Sequence, residues 1–280
     1  MDKYAVVGHP ISHSLSPEIH RLFATETQQS LEYQALDFDP DRFEHQLLEL
    51  IEAGYKGINV TVPYKERAWA ITDKLSPRAR DAGAVNTLIF QDDGLIAGDN
   101  TDGIGLTRDM ISNNHILIQH RKILLLGAGG AVRGILGPLL AQQPNMVTIA
   151  NRTLQKAQEL VEQFSPNINA DCEFQFSSFE DLGSLKFDVI INGTSAGLKN
   201  EVPAIPDEVL GINSICYDMM YNINEATAFE QWALDRGALR QFDGLGILVE
   251  QAAEAFFIWR GIRPKTSEVI DQLRQQAVDH

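Results

Sequence analysis

Short apolar runs alternate with amphipathic stretches along most of this chain, and the alternation predicts strands and helices in turn. Beyond residue 104 the rhythm is regular. Four runs rich in leucine, isoleucine and valine predict buried strands with helices between them, at 122–126, 146–151, 187–192 and 214–218. Buried strands that alternate with helices are typical of a doubly wound parallel sheet.

The first hundred residues also alternate, but less regularly. Strands are predicted at 4–8, 31–38 and 56–62, and a hairpin at 84–91 and 95–97. Helices are predicted at 17–29 with Ser16 as the cap, at 40–53 with Gly54 as the stop, and after Pro63.

Two helices predicted at 247–259 and 267–278 have no strand partner nearby, so we expect them to pack on the first domain. The predicted fold class is therefore α/β with two domains. One comprises residues 1–103 and 243–280, the other comprises residues 104–242, and we expect a cleft between them.

Charge and cysteine content narrow the classes of partner. The net charge of −15 lacks the basic face that nucleic acids and anionic membranes require, so neither is expected as a partner. Cys172 and Cys216 match neither a zinc spacing nor a redox pair. Because the N-terminal apolar stretch is too short for a secretory signal, we interpret them as reduced core residues of a cytoplasmic protein. Arg133 and Pro138 argue against a membrane span at 123–141.

A glycine-rich turn, Gly127-Ala128-Gly129-Gly130-Ala131-Val132, follows the strand predicted at 122–126. A strand that feeds a helix through such a turn can hold a pyrophosphate on the helix N-terminus. Val132 occupies the third glycine position, so the motif is only moderately specific, and a plain strand-to-helix turn is the alternative.

A second signal lies about 20 residues further on, at Asn151-Arg152-Thr153. NAD sites usually carry an acid here, whereas asparagine and arginine suit a 2′-phosphate. Lys156, one helical turn later, can add to a phosphate clamp, although either cation could also lie on a solvated surface. Together with the glycine turn, this predicts that residues 104–242 form a Rossmann-type domain that binds NADP.

Two polar segments of the first domain are candidate chemistry. The strand at 57–62 places Asn59 and Thr61 on one face, and Lys65 follows near a helix start, where the helix dipole disfavours a cation. That indicates a placed lysine, with a solvated surface lysine as the alternative. Asp102 lies in Asp99-Asn100-Thr101-Asp102-Gly103, where Thr101 or Asp102 could simply cap a helix. The hydroxyls of residues 12–16 suit a carboxylate or a polyol.

Two other motifs are rejected. Gly193-Thr194-Ser195-Ala196-Gly197 fits the G-x-S-x-G elbow of hydrolases, but the only later histidine is His280, the last residue. His9 and His13 are four residues apart, but Pro10 breaks a helix between them, so no metal site is expected.

With these residues in view, the chain resembles the shikimate dehydrogenase family nearly from end to end. The resemblance rests on Ser12–Pro17, Asn59–Lys65, Gly83–Thr87, Gly98–Gly103, the glycine turn, Asn151–Thr153, Tyr217–Met219 and Asp243–Gly246. It implies that the first domain is the substrate domain and that the reaction is the reversible, NADPH-dependent reduction of 3-dehydroshikimate to shikimate.

The resemblance also implies residue roles. Lys65 and Asp102 would be the catalytic pair. Substrate would be held by Ser14, Ser16, Asn59, Thr61, Asn86, Tyr217 and Gln251. The cofactor would be held by Gly127, Ala128, Gly129, Gly130, Ala131, Asn151, Arg152, Thr153, Lys156, Thr194, Met219 and Gly244.

Two departures from the family pattern matter. The family often has arginine where Lys156 stands, and lysine keeps the charge without the bidentate fork. Pro77 stands where a polar residue is common, so no cofactor contact is expected there. The alternatives are a quinate/shikimate dehydrogenase that uses NAD as well as NADP, and a non-catalytic NADP-binding regulatory protein. A monomer and a homodimer are both compatible with the sequence.

Overall fold

Two six-stranded sheets organise the residues that the computed structural model describes, 1–168, 170–183 and 185–278. They belong to two compact units. The first unit comprises Met1–Gly105 and Leu248–Gln272, and the second comprises Leu106–Ile247 and the chain from Leu273 onward. His280, which decided against the hydrolase elbow, lies outside the described residues.

The first unit alternates strands and helices. Its elements in chain order are β1 (Asp2–Gly8), α1 (Ser16–Glu26), β2 (Leu31–Asp37), α2 (Phe43–Glu52), β3 (Tyr55–Val60), α3 (Lys65–Ala70), β4 (Lys74–Leu75), α4 (Pro77–Ala82), β5 (Thr87–Phe90), β6 (Ile96–Asp99) and the start of α5 (Asp102–Arg108). The strand order is β2-β1-β3-β5-β6-β4. The strands β1, β2 and β3 run parallel, and β5 runs antiparallel to β3 and β6, so the predicted hairpin is confirmed.

One sequence prediction about this unit is wrong. Ser16 is not the cap of α1, because the helix begins at Ser16 itself and the residue before it, Leu15, makes no side-chain cap. Instead, the hydroxyl of Ser14 accepts a hydrogen bond from the backbone nitrogen of Ser16 at 3.2 Å. The serine two positions earlier therefore satisfies one of the free N–H groups at the helix start.

The two faces of the first sheet are packed differently. One face carries a mixed core, in which aliphatic residues such as Ala5, Val7 and Ile58 pack with the stacked rings of Phe43 and Tyr64. The other face carries an aromatic cluster, formed by Tyr4, His20, Phe23, Tyr33, Phe256 and Trp259. The last two come from α9 (Leu245–Arg260), so the C-terminal segment supplies part of the first unit's core.

The second unit is an all-parallel sheet. Its further elements are β7 (Lys122–Leu126), α6 (Gly130–Leu140), β8 (Met146–Ala150), α7 (Leu154–Phe164), β9 (Glu173–Ser177), β10 (Phe187–Asn192), β11 (Leu210–Asp218), α8 (Ala228–Asp235) and β12 (Arg240–Phe242), and α10 (Ser267–Val278) ends the described chain. The strand order is β12-β11-β10-β7-β8-β9. That is the doubly wound order, so the predicted sheet is confirmed.

The doubly wound order has a functional consequence. It reverses direction between β7 and β10, and ligands of such sheets bind outside the carboxyl ends of the strands at this switch point. The glycine turn follows β7, and Gly193 follows β10.

Pro138 lies inside α6, and no described helix is long and apolar enough to span a bilayer.

Gly57 is required by close packing between β3, β5 and α9. A methyl group at this position would lie 2.5 Å from both the carbonyl oxygen of Leu88 and the indole nitrogen of Trp259. That nitrogen donates to the Leu88 carbonyl at 3.1 Å. Gly57→Ala should therefore lower the free energy of unfolding by about 1–3 kcal/mol, as overpacking does. Urea denaturation followed by circular dichroism measures the change.

The matched control is Gly137→Ala in the middle of α6. A methyl group there would make an ordinary contact of 3.7 Å with Phe164. Alanine favours a helix over glycine, but a Cβ before Pro138 disfavours helical backbone, so the two effects oppose each other and stability should change by less than about 1 kcal/mol. Equal effects of the two substitutions would contradict the assignment of strain to position 57.

His20 is fully buried and stacks on Tyr33, with ring centroids 4.0 Å apart. Burial lowers the pKa of its imidazole to about 3, below the ordinary value of 6.5. Between these values the unfolded chain binds a proton that the folded chain does not, so stability rises with pH across this window. His20→Phe should reduce the loss of unfolding free energy between pH 7 and pH 5 by about 2 kcal/mol.

Denaturation of the variant and of the unaltered protein at pH 7 and at pH 5 measures this effect. Because the two proteins are compared, the contributions of the other titratable groups cancel. An unchanged pH dependence in His20→Phe would show that the buried ring is not the source.

Candidate functional site

An ion pair of the first unit lies where the sequence predicts catalysis. Lys65 is the first residue of α3, and Asp102 is the first residue of α5. The lysine Nζ donates to Oδ2 of the aspartate at 2.6 Å. The two side chains are 24% and 13% exposed, so the pair is sheltered but open to a small molecule. A lysine at a helix start is thus balanced by a carboxylate and not by solvent.

Asn86 holds the other oxygen of this carboxylate. Its Nδ2 donates to Oδ1 of Asp102 at 2.8 Å and to the hydroxyl of Thr101 at 2.9 Å. Its Oδ1 accepts from the backbone nitrogen of Thr101 and from the hydroxyl of Thr87, both at 2.9 Å. A backbone N–H can only donate, so it assigns the amide oxygen, and the amide nitrogen must face Asp102.

The other predicted substrate residues of α9 and β3 continue this network. Gln251 lies beside it, because its Oε1 is 3.4 Å from Asn86 Nδ2 and its Nε2 donates to the Leu248 carbonyl at 2.8 Å. Asn59 is buried, and its Nδ2 donates to the Asn86 carbonyl and to the Thr87 hydroxyl, each at 3.2 Å. Thr61 is half-buried at the end of the same strand. Lys65, Asp102, Asn86, Gln251 and Asn59 are therefore brought together within one unit.

Tyr33 is a residue that the sequence analysis missed. Its hydroxyl donates to Oδ1 of Asn59 at 2.7 Å. Burial raises the pKa of the phenol well above its usual value, and a hydrogen bond with the Ser16 side chain opposes that shift in part. The phenol thus connects two predicted substrate residues. A tyrosine within an alternating strand gives no sequence signal for this role, because aromatic residues are common in strands.

In the second unit, the glycine turn leaves open space for a ligand. Gly127 has a φ of +105°, which favours glycine, and α6 begins at Gly130 without a side-chain cap. Methyl groups at Gly129 or Gly130 would meet no atom within 4 Å. Uncapped N–H groups beside open space at a helix N-terminus fit an anionic diphosphate, so these residues can hold a dinucleotide.

The structure explains why Val132 can replace the third glycine of the motif. Val132 is fully buried in α6, and a methyl group at Gly193 would lie 2.5 Å from its Cγ2. The third glycine normally allows close packing of helix and strand. Here the space is provided by Gly193, at the end of the neighbouring strand β10. A small residue after a different strand was the signal that the sequence reasoning missed.

The predicted 2′-phosphate clamp lies at the start of α7. Asn151 follows β8, and its Nδ2 donates to the Thr153 carbonyl at 2.9 Å, which closes a tight turn before the helix. Arg152 and Lys156 are exposed. Within the described ranges, neither of these two side chains has a hydrogen-bond or ion-pair partner. Unpaired cations at a second-strand turn suit an added phosphate.

Loops after β10 and β11 carry the remaining predicted cofactor residues. Thr194 donates to the side-chain oxygen of Asn192 through its backbone nitrogen at 3.1 Å and its hydroxyl at 2.8 Å. Met219 follows β11 directly. Gly244 lies so close to it that a methyl group there would overlap the Met219 carbonyl.

Tyr217, predicted to help hold the substrate carboxylate, belongs to the second unit. Its side chain is fully buried in β11, and its hydroxyl donates to a carboxylate oxygen of Asp109. Burial and the adjacent Asp109 both raise the pKa of this phenol. Its role toward a substrate stays a prediction.

The sequence is similar to known proteins over nearly its whole length. Family models match most of the chain: "Shikimate dehydrogenase substrate binding domain" at residues 6–88, "Shikimate / quinate 5-dehydrogenase" at 109–200 and "Shikimate 5'-dehydrogenase C-terminal domain" at 244–274. A relative from Hydrogenovibrio crunogenus, named shikimate dehydrogenase (NADP(+)), is 51% identical, with 98% of each chain covered. One of the same name from Hahella chejuensis is 50% identical, with 98% of this chain and 99% of that one covered.

Solved structures with a similar fold support the same family. An Ael1 enzyme from Pseudomonas putida superposes with a TM-score of 0.91 at 45% identity, with 98% of each chain covered. Shikimate 5-dehydrogenase from Thermus thermophilus, solved with NADP(H) and shikimate, superposes with a TM-score of 0.86 at 31% identity, over 99% of this chain and all of that one. Fold, motifs and full-length identity therefore converge, and the chain belongs to the shikimate dehydrogenase family.

Proposed function

We propose that this protein catalyses the reversible, NADPH-dependent reduction of 3-dehydroshikimate to shikimate, with Lys65 and Asp102 as its catalytic pair. The observation that carries the assignment of residues is the 2.6 Å contact between Lys65 Nζ and Asp102 Oδ2 in a sheltered, partly open position. Relatives that are about 50% identical over nearly their full length are named for this activity, which supports the reaction.

Lys65 donates the proton in the reduction and accepts it in the oxidation. Bound NADPH supplies the hydride, and negative charge then develops on the oxygen of the ketone, which needs a donor. The ammonium of Lys65 gives a proton to that oxygen. In the reverse direction, the neutral amine of Lys65 takes the proton from the substrate hydroxyl.

Asp102 and Asn86 keep the lysine in place. One carboxylate oxygen of Asp102 accepts from Lys65, and the other accepts from Asn86. A carboxylate held at both oxygens cannot rotate away, so it fixes the direction of the ammonium. Positioning of this kind accounts for a large part of enzymatic rate enhancement.

Substrate binding is assigned to the predicted substrate residues of the first unit, with Tyr217 of the second unit as a further proposed residue. Ser14 and Ser16, at the start of the 11-residue helix α1, hold the substrate carboxylate, and the helix dipole favours an anion there. Thr61, Asn86 and Gln251 contact the ring hydroxyls, and Tyr217 helps to bind the carboxylate. Asn59 supports Asn86 from behind through the bond to its carbonyl.

The cofactor is assigned to the second unit. The turn from Gly127 to Ala131 receives the diphosphate, and Asn151, Arg152, Thr153 and Lys156 receive the adenosine ribose with its 2′-phosphate. Thr194, Met219 and Gly244 lie on loops after β10, β11 and β12, in the half of the sheet across the switch point from the adenosine residues, and they would contact the nicotinamide half of the dinucleotide.

Use of quinate or NAD is a second candidate, because one matching family model is described as shikimate / quinate 5-dehydrogenase. A related structure from Listeria monocytogenes was solved with shikimate and NAD. Assays of shikimate and quinate, each with NADP and with NAD, separate the two activities. Cofactor binding without turnover of either substrate would instead identify a non-catalytic protein.

We also propose a cytoplasmic location, which the two free cysteines, Cys172 and Cys216, support. The protein would act as a monomer or as a homodimer, which light scattering distinguishes.

Lys65→Ala should lower kcat by roughly 10²–10⁴ while the KM for shikimate changes little, because the lost group moves a proton and does not hold the substrate. Steady-state absorbance of NADPH measures both constants. The control is Lys56→Ala, which removes a half-exposed lysine paired with an exposed aspartate at 3.3 Å. A loss of tenfold or less in Lys65→Ala would exclude the acid–base role.

Arg152→Ala should weaken NADPH binding by about 1.5–3 kcal/mol, the contribution of a charged hydrogen bond, and leave NADH binding nearly unchanged. Fluorescence titration of each nucleotide measures the two affinities. The control is Arg121→Ala, an exposed arginine before β7, at the amino ends of the strands. Equal weakening of NADPH and NADH would contradict a 2′-phosphate contact.

A further inference from the structure

We propose that Asp218 is a positioning residue for the cofactor, which acts through Asn192 on the loop carrying Thr194 and directly, through the backbone of Met220, on the loop carrying Met219. Neither Asp218 nor Asn192 is among the residues assigned to substrate or cofactor above. The inference rests on the proposed function, because it concerns where that function's cofactor is held. Its evidence lies entirely within the second unit.

Asp218 receives donors from three separate segments. Its Oδ1 accepts from Asn192 Nδ2 at the end of β10, at 3.0 Å, and from the backbone nitrogen of Met220 in the next loop, at 3.1 Å. Its Oδ2 accepts from the hydroxyl of Thr227 at 2.7 Å. Thr227 in turn caps α8. One side chain therefore connects the loop after β10, the loop after β11 and a helix start.

Both members of the pair are fully buried, so neither can touch a ligand at the surface of the loops. Burial raises the pKa of Asp218, and the donated hydrogen bonds oppose that shift. A buried carboxylate is costly unless its oxygens are satisfied. Asp218 is satisfied from three directions, which ties its charge to the arrangement of all three segments.

The carboxylate also decides which way Asn192 points. A carboxylate oxygen can only accept, so Asn192 must turn its nitrogen toward Asp218 and its oxygen away from it. That oxygen then accepts both bonds from Thr194. The backbone carbonyl of Asn192 accepts from the nitrogen of Met219 at 2.9 Å. The loop after β10 thus depends on the orientation of this amide, whereas the loop after β11 is held by the backbone of Asn192 and by the bond from Met220 to Asp218.

The loop after β11 is also held from its opposite side. The backbone nitrogen of Gly244 donates to the Met220 carbonyl at 2.8 Å. Because a side chain at position 244 would overlap the Met219 carbonyl, the chain passes as close as a glycine allows. Met219 is therefore fixed between Gly244 and the Asn192–Asp218 pair.

The test is Asp218→Asn, which keeps the shape of the side chain but removes the charge and leaves one accepting oxygen, so the amide cannot accept from Asn192, Met220 and Thr227 together. We expect the Kd for NADPH, measured by fluorescence titration, and the KM for NADP to rise about tenfold or more, the equivalent of one lost hydrogen bond. The KM for shikimate should change less than twofold, since Lys65, Asp102 and the substrate residues of the first unit are untouched.

The control is Asp188→Asn. Asp188 is the second residue of β10, and its carboxylate accepts from the backbone nitrogen of Lys122 at 2.8 Å, at the amino ends of the strands. Asp188→Asn removes the same charge and alters the same kind of hydrogen bond, but at the edge of the sheet away from the cofactor loops. NADPH affinity should equal that of the unaltered protein.

The double variant Asn192→Asp with Asp218→Asn exchanges the carboxylate and the amide. The exchanged pair can still form its mutual hydrogen bond, and an acceptor still faces Thr194, but the acceptor for the Met220 nitrogen is lost. NADPH affinity should therefore recover in part relative to Asp218→Asn. Recovery distinguishes positioning from a general loss of stability. If Asp218→Asn does not fold, Asn192→Asp replaces it as the single variant, because two carboxylates then face each other. Weaker NADPH binding in Asn192→Asp that recovers in the double variant supports the inference.

Equal NADPH affinity in Asp218→Asn and Asp188→Asn would overturn the inference, and so would a double variant no better than the single one. Failure of the proposed function has a different signature. The unaltered protein would bind NADPH but would not oxidise shikimate with NADP, while Asp218→Asn would still weaken NADPH binding.

Discussion

A carboxamide has one end that accepts hydrogen bonds and one that donates them, and this asymmetry organises both candidate sites. In the first unit, backbone and hydroxyl donors claim the oxygen of Asn86, so its nitrogen is directed at Asp102. In the second unit, Asp218 claims the nitrogen of Asn192, so its oxygen is directed at Thr194. Each unit therefore uses a buried asparagine beside an aspartate to convert the requirement for satisfied polar groups into a defined geometry.

The distribution of paired and unpaired cations follows the same logic. The chain has 38 acidic residues and 23 lysines and arginines, so carboxylates are abundant. Lys65 is matched to Asp102, which suits a group that must be aimed. Arg152 and Lys156 have no partner in the described part of the chain, which suits groups that are to meet a ligand's own charge. The ammonium of Lys156 is a point charge and cannot form the paired hydrogen bonds of a guanidinium. Arg152 therefore supplies the directional part of the predicted clamp.

The central strands and the glycine turn could be predicted from sequence because their signals are local: an apolar run, then glycine with a positive φ. The edge strands β9 and β12 could not. β9 is half-exposed, and β12 has three residues, so neither shows an apolar run. The prediction for Ser16 is wrong because the helix starts one residue earlier than predicted, so that Leu15 and not Ser16 stands at the cap position.

The residues of the candidate sites divide in the same way. Lys65 stood out because it opposed the helix dipole, and Arg152 because it replaced an expected acid. Tyr33, Thr87 and Asp218 gave no such sign. Their roles consist of contacts with residues distant in sequence, such as Tyr33 to Asn59, and periodicity carries no information about those contacts.

The first unit is discontinuous in sequence, and that affects how the chain emerges during synthesis. Residues 106–247 are made between its two parts. Until α9 follows, Tyr4, Phe23 and Tyr33 lack Phe256 and Trp259, which complete their aromatic cluster. At ordinary translation rates that interval is on the order of ten seconds. During it the nascent chain presents an uncovered aromatic sheet face, the kind of surface that chaperones bind.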